Sequence, residues 1–140
     1  MGTVAIGKSD FKQKIEKSGI TFIDWWAEWC GPCRAFAPTY EKVAAANPDI
    51  TFAKVDTEAE QELAGSFQIR SIPTLMIFRD GILLFTQPGA LPKSALEELV
   101  GKVRGLDMDQ VRAEMAKQQA ETRAPVVQGE SGNQAEPAKN

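Results

Sequence analysis

The sequence predicts an α/β domain with a central mixed five-stranded β-sheet and helices on both faces. Three observations lead to this fold class. Strand-type and helix-type segments alternate along the chain, as they do when helices connect neighbouring strands. Thr21–Ala27 is apolar on both faces, as expected for a strand inside a covered sheet. Two later apolar runs are joined by Asp80-Gly81, a pair that favours the tight turn of a β-hairpin.

The first strand and helix are short. Thr3–Ile6 has a β-type pattern, and Ser9 offers an N-cap for the helix that follows. Phe11 and Ile15 are spaced to share one face of this helix, and Gly19 is a stop signal.

The middle of the chain continues the alternation. Thr21–Ala27 leads into a long helix, which Pro38 is expected to kink. Ile50–Val55 is the next strand, and Ala59–Phe67 is a short helix. The long helix is recognised by apolar side chains at helical spacing, namely Phe36, Tyr40, Val43 and Ala44.

The hairpin and one more helix complete the predicted domain. The hairpin strands are Thr74–Arg79 and Ile82–Thr86. Pro92 suits the first turn of the helix after them, and Gly105 ends that helix. Its apolar stripe consists of Ala95, Leu96, Leu99, Val100 and Val103.

The chain changes character near its end. We therefore divide it into a domain at residues 1–105, an extra helix at 106–123 and a disordered tail at 124–140. Asp107 and Gln110 resemble a capping box at the start of the extra helix. The tail consists mostly of small and polar residues, which cannot bury enough apolar surface to order themselves.

Composition excludes several classes of function. The net charge is −3 and no basic cluster is present, so we expect neither a nucleic-acid partner nor a membrane partner. The N-terminus lacks the pattern of a secretory signal, and we expect a cytoplasmic protein whose cysteines cycle between redox states. The chain has no histidine, which excludes Cys–His and Ser–His pairs and histidine metal ligands.

The most informative motif is Trp29-Cys30-Gly31-Pro32-Cys33, which contains both cysteines of the chain. Cys30 lies at a predicted helix start, where unpaired N–H groups and the helix dipole favour an anion. We expect Cys30 to be the nucleophile and Cys33, one turn later, to be the more buried resolving cysteine. Pro32 fixes the turn geometry. A structural disulfide and half of a zinc site are the alternatives, although so short a loop gains little from a crosslink and two cysteines cannot close a zinc site alone.

With these elements in order, the chain resembles the thioredoxin family over roughly Thr3–Gly105. Asp24–Arg34 resembles the family's active-site stretch, Pro38 lies where the family kinks its long helix, and Lys54 matches its buried lysine. Two further segments match the family's cis-proline segment and glycine loop, namely Ser71-Ile72-Pro73-Thr74 and Pro88-Gly89-Ala90.

The chain departs from the family pattern at few positions. Trp25 stands where the family often has Phe, and Arg34 stands where Lys is frequent. Pro88 replaces a commonly β-branched residue and could alter the shape of the substrate groove. The segment after Gly105 has no counterpart in the minimal family domain.

Asp24 lies between Phe22 and Trp26 on one face of an interior strand, where burial should raise the pKa of its carboxyl. We expect Asp24 to act as a proton shuttle that deprotonates Cys33 through water, with Lys54 as the neighbour that tunes it. An aspartate that only reaches solvent, or that pairs with Lys54 for structure, is the alternative.

The resemblance also implies a substrate-binding rim around the dithiol. Pro73 is expected to be cis, which would place the Ile72 backbone against the cysteines, and a trans proline is the alternative. Trp26 is assigned to core packing, and Glu58, Glu60 and Glu62 to the solvated start of a helix. The rim residues implied near Cys30 are Trp29, Gly31, Ile72, Pro73, Gly89 and Ala90.

The resemblance implies a protein-disulfide reductase that carries electrons and contributes to redox homeostasis. The Gly-Pro pair between the cysteines is similar to that of reducing members, whereas oxidising and isomerising members commonly have a histidine there. The implied partners are disulfide-containing proteins and an NADPH-dependent thioredoxin reductase. We expect a monomer without a bound cofactor or metal. The alternatives are an oxidase or isomerase, and a binding module that docks through the extra helix and tail.

Overall fold

A computed structural model describes residues 2–127, and the side chains of residues 2–121. In chain order the described elements are β1 (Thr3–Ala5), α1 (Lys8–Glu16), β2 (Ile20–Trp26), α2 (Gly31–Ala46), β3 (Thr51–Asp56), α3 (Gln61–Ser66), β4 (Thr74–Arg79), β5 (Ile82–Pro88), α4 (Lys93–Arg104) and α5 (Met108–Val127).

The five strands form one mixed sheet in the order β1-β3-β2-β4-β5. β3 is parallel to both β1 and β2, whereas β4 is antiparallel to both β2 and β5. β2 is therefore hydrogen-bonded on both sides, and the hairpin β4–β5 forms one edge. The predicted fold class, a mixed five-stranded sheet with helices on both faces, is confirmed.

Each face of the sheet has its own hydrophobic core, because alternate residues of each strand point to opposite faces. On the face covered by α2 and α4, the largest buried side chains include Phe22, Tyr40, Phe52, Leu75, Ile77 and Leu96. On the face covered by α1 and α3, the buried cluster includes Phe11, Ile23, Trp25, Val55, Leu63 and Met76.

Two helix starts differ from the sequence prediction. α1 has Gly7 at its N-cap instead of Ser9, because the Gly7 N–H donates to the Asp10 carboxylate at 2.8 Å. α3 starts later than the predicted Ala59, because the Asp56 carboxylate accepts the Ala59 N–H at 3.3 Å in the preceding turn. Local side-chain acceptors therefore decide where these helices begin.

The predicted turn of the hairpin is confirmed. Asp80 and Gly81 have φ angles of +55° and +82°, and a type I′ turn needs positive φ at both central residues. The Asp80 carboxylate accepts the Gly19 N–H at 2.8 Å, and the Asp80 N–H donates to the Gly19 carbonyl at 2.9 Å. These two bonds tie the turn to the start of β2.

Contacts divide the chain into two units, Met1–Arg104 and Gly105–Asn140. The sequence prediction places an extra helix at 106–123, and α5 continues to Val127, past the start of the predicted tail. The rest of that tail, at 128–140, lies outside the described residues. The division into domain, helix and tail stays a prediction.

The start of α5 is capped as the sequence suggests. The Asp107 carboxylate accepts the N–H groups of Asp109 at 3.0 Å and of Gln110 at 3.2 Å. Neither α5 nor another described helix is long and apolar enough to cross a membrane.

Tyr40 joins α2 to the sheet. Its side chain is fully buried, its hydroxyl donates to the Ala53 carbonyl at 2.9 Å, and its ring contacts Phe36 and Phe52. Burial, together with the nearby carboxylates of Asp24 and Glu41, raises the pKa of this phenol well above its ordinary value.

We predict that Tyr40 does not ionise while the protein is folded. Because the pKa in the folded state lies above that of the unfolded chain, its stabilising effect is complete below about pH 10 and is lost as the pH rises further. Tyr40 is the only tyrosine, so an alkaline titration of tyrosinate absorbance measures it alone. Tyr40→Phe supplies the blank. A tyrosinate signal near pH 10 in folded protein would contradict the prediction.

Candidate active site

The loop between β2 and α2 places Cys30 at the start of a helix. The Cys30 N–H donates to the Ala27 carbonyl at 3.2 Å, and its carbonyl accepts the Arg34 N–H at 3.1 Å. Cys30 is the N-cap residue of α2, and Gly31 and Pro32 form the first turn. Pro32 has no N–H to leave unpaired in this turn, and its fixed φ suits a helix start.

Cys30 and Cys33 are joined by a disulfide, with Cα atoms 5.3 Å apart. The Cys33 N–H donates to Cys30 Sγ at 3.2 Å. Both residues are buried, with exposed fractions of 4% for Cys30 and 2% for Cys33. After reduction, the same N–H can stabilise a thiolate on Cys30, because hydrogen bonds to the charged form favour it.

The loop before β4 lies against the disulfide. The Ile72–Pro73 peptide bond is cis, and the Ile72 carbonyl oxygen is 3.7 Å from Cys30 Sγ. Ile72 also packs on the cluster that contains both cysteines. The Gly89 N–H donates to the Pro73 carbonyl at 2.8 Å, and Ala90, the next residue, is exposed. The predicted rim residues Ile72, Pro73 and Gly89 are therefore brought together.

Trp29 is 68% exposed beside the dithiol, and its indole N–H donates to the Glu58 carboxylate at 3.2 Å. A cavity of about 400 Å³ next to it is lined by Glu28, Trp29, Asp56 and Glu58. Glu58 is exposed just before α3, as the sequence suggested, but it also binds Trp29. The available signal was topological, because Trp29 follows β2 and Glu58 follows β3, and the carboxyl ends of neighbouring parallel strands meet at one edge.

Asp24 lies in the middle of β2, and its side chain is buried on the face of the sheet that α2 and α4 cover. It lies opposite Lys54 on β3 and Leu75 on β4, and only 1% of it is exposed. Within the described structure, neither carboxylate oxygen has a hydrogen-bond partner. Burial raises the pKa of Asp24 to about 7, and the positive charge of Lys54 moderates this increase.

The ammonium group of Lys54 contacts the ring of a tryptophan. Its Nζ atom lies 4.5 Å from the centroid of the Trp26 ring, within the range of a cation–π contact. Trp26 is half-buried and also packs on the cluster of Ala27 and the two cysteines. Core packing alone therefore does not describe Trp26. Sequence patterning gave no signal for this contact, because it depends on which way the lysine side chain turns.

Comparisons with known proteins agree on one family. A family model described as Thioredoxin matches residues 2–102. A protein of Streptomyces coelicolor named "Putative thioredoxin 2" is 56% identical over 119 residues, covering 85% of this chain and 89% of that protein. The thioredoxin of Rhodospirillum rubrum is 42% identical over 97 residues, covering 68% of this chain and 93% of its own length.

Solved structures agree with the fold. The crystal structure of a thioredoxin from Malassezia sympodialis aligns with a TM-score of 0.65 at 32% identity. The alignment covers 71% of this chain and 89% of that one.

We predict that Asp24→Asn stabilises the protein at neutral and alkaline pH. Because the pKa of Asp24 is raised from 3.8 to about 7 on folding, its favourable contribution is complete below about pH 4 and is lost as the pH rises to about 7. The charged carboxyl then costs up to about 4 kcal/mol, which the amide avoids. Denaturant unfolding at pH 4 and pH 8 measures the difference.

The exposed Asp109 provides a matched control. Asp109→Asn should change the free energy of unfolding far less than Asp24→Asn does, because its exposed carboxylate forms a surface ion pair with Arg112. If Asp24→Asn stabilised the protein equally at both pH values, burial of a charge would not be the cause.

Proposed function

Because this chain belongs to the thioredoxin family and is a thiol–disulfide oxidoreductase with the redox pair Cys30–Cys33, we propose that it reduces protein disulfides through a Cys30 thiolate. The family implies disulfide substrates and a reductase partner in general. The observation that carries the assignment of Cys30 is the 3.2 Å hydrogen bond from the Cys33 N–H to Cys30 Sγ at the N-cap of α2.

In the first step, the Cys30 thiolate attacks one sulfur of the substrate disulfide. A bond forms between Cys30 Sγ and that sulfur, and the other substrate sulfur leaves as a thiolate. The helix dipole contributes about 0.3–1 kcal/mol to the Cys30 thiolate, which corresponds to less than one pKa unit. The N–H of Cys33 adds a direct hydrogen bond, and together these favour attack by Cys30 over attack by Cys33.

In the second step, Cys33 resolves the mixed disulfide. Its thiol gives a proton to the Asp24 carboxylate through water, and the new thiolate attacks Cys30 Sγ. The second substrate sulfur is released and receives the proton, so the substrate gains two electrons and the Cys30–Cys33 disulfide forms. A buried carboxyl whose pKa is about 7 can accept and return a proton near neutral pH, which supports this role of Asp24 with Lys54 as its tuning charge.

We assign substrate binding to the rim beside the disulfide. The Ile72 backbone is next to Cys30 Sγ and can pair with an extended substrate segment. Pro73 and Gly89 hold this loop through their mutual hydrogen bond, and exposed Trp29 and Ala90 supply apolar surface. This arrangement recognises the backbone around a disulfide more than any one side chain.

We further propose that an NADPH-dependent thioredoxin reductase reduces the Cys30–Cys33 disulfide after each turnover. The protein would act as a cytoplasmic monomer and maintain redox homeostasis, without a bound cofactor of its own. These assignments rest on the family and on the redox pair.

Reduction of insulin disulfides by dithiothreitol tests the proposal, with wild type beside Cys30→Ser and Cys33→Ser. We expect the wild type to accelerate precipitation of the insulin B chain and both variants to fall to the dithiothreitol background. With a disulfide substrate in the absence of dithiothreitol, Cys33→Ser should accumulate a covalent mixed disulfide, because the resolving sulfur is missing. Cys30→Ser should accumulate none.

Several outcomes would contradict this function. Wild-type turnover no faster than the background would refute the reductase, and a mixed disulfide formed through Cys33 would reverse the two cysteine roles. A reduction potential in the range of strong oxidants would favour an oxidase or isomerase. Cellular function retained by Cys30→Ser would favour a binding module.

A further inference from the structure

One indole contacts both the dithiol region and the charge that tunes Asp24. Trp26 packs on the cluster formed by Ala27, Cys30 and Cys33. The same ring has the Lys54 ammonium 4.5 Å from its centroid. Trp26 and Asp24 alternate onto the same face of β2, so the indole, the ammonium and the carboxyl share one region.

Lys54 does not pair with the carboxyl beside it. Asp24 and Lys54 are register partners on adjacent parallel strands, yet both oxygens of Asp24 lack a hydrogen-bond partner in the described structure. Opposite charges attract more strongly where solvent is excluded. A direct ion pair would therefore be expected unless another interaction holds the ammonium. The ring of Trp26 provides one, since a cation–π contact contributes about 0.5–2 kcal/mol, more as it is desolvated.

We propose that Trp26 is a positioning residue that holds the Lys54 ammonium on its ring face and so prevents direct pairing with the Asp24 carboxylate. Lys54 then acts on Asp24 through space. Its charge moderates the effect of burial without fixing the carboxyl in an ion pair, and the carboxyl stays free to gain and lose a proton.

No other charged group among the described neighbours of Asp24 takes over the effect of Lys54 on its carboxyl. On α2, Tyr40 is the titratable group whose pKa responds to Asp24, and it stays protonated; Cys30 and Cys33 at the start of this helix are joined in the disulfide. The other ionisable side chains of α2 are partly or fully exposed, namely Arg34, Glu41 and Lys42. From β4, the residue opposite Asp24 is the apolar Leu75. Lys54 on β3 is therefore the one cation that acts on Asp24 among the described residues, and its position decides how strongly it acts.

The catalytic relevance of Trp26 rests on the proposed proton transfer by Asp24, but the positioning can be measured without any activity. In the oxidised protein the cysteines do not titrate, so the 13C resonance of the Asp24 carboxyl reports its own ionisation. We expect Trp26→Leu to lower the midpoint by about one pH unit, because the released ammonium pairs with the carboxylate. Trp26→Phe keeps an aromatic face and should lower it less.

The Lys54→Met variant distinguishes two causes of a changed midpoint, namely the position of the Lys54 ammonium and the entry of water beside Asp24. This variant should raise the midpoint, because burial then acts alone. In the Lys54→Met background, Trp26→Leu should cause no further change. If Trp26→Leu lowers the midpoint equally with and without Lys54, water entry is the cause and the proposal is overturned. An unchanged or raised midpoint in the Trp26→Leu single variant also overturns it.

A kinetic measurement distinguishes failure of this inference from failure of the proposed function. Asp24→Asn should slow resolution of the Cys30 mixed disulfide by about 100-fold if Asp24 transfers the proton. An unchanged rate would refute proton transfer by Asp24, but the carboxyl titrations would still test whether Trp26 positions Lys54. Slowed resolution together with unmoved midpoints in the Trp26 variants would refute only the role of Trp26.

Discussion

Strand β2 is hydrogen-bonded on both sides and covered by helices on both faces, and the geometry of the site depends on this confinement. The strand has little freedom to shift, because a one-residue slip would turn its apolar side chains onto the wrong faces. Its end delivers Cys30 to the N-cap of α2, and its interior holds Asp24 away from solvent. The same buried strand thus fixes both the reactive sulfur and the carboxyl.

This confinement has an energetic cost. Among the described residues, the Asp24 carboxyl has no hydrogen-bond partner, and a buried carboxyl in this situation destabilises the folded state whenever it is charged. An apolar or amide side chain at the position of Asp24 would fit the surrounding core better. The same burial brings the pKa of Asp24 close to neutral pH, which the proton transfer proposed for it requires.

The neighbours of the dithiol divide into two groups with different roles. The first group shapes the surface around Cys30 and consists of Trp29, Ile72, Pro73 and Gly89. Within it, the Trp29 indole is held by a hydrogen bond to Glu58 in the loop after β3. Asp24, Lys54 and Trp26 form the second group, in which the charge of the partly buried Lys54 acts on the buried Asp24 carboxyl through space. The disulfide thus contacts both groups, through Ile72 in the first and Trp26 in the second.

Local sequence patterns were enough to predict the succession of strands and helices along the chain, the Asp80-Gly81 turn and the dithiol at a strand–helix junction. These features depend on side chains a few residues apart, so local patterns report them. The contacts of Glu58 with Trp29 and of Lys54 with Trp26 join segments far apart in the chain. These contacts are visible only in the folded chain, because they require the parallel register of β2 with β3 and the direction of individual side chains.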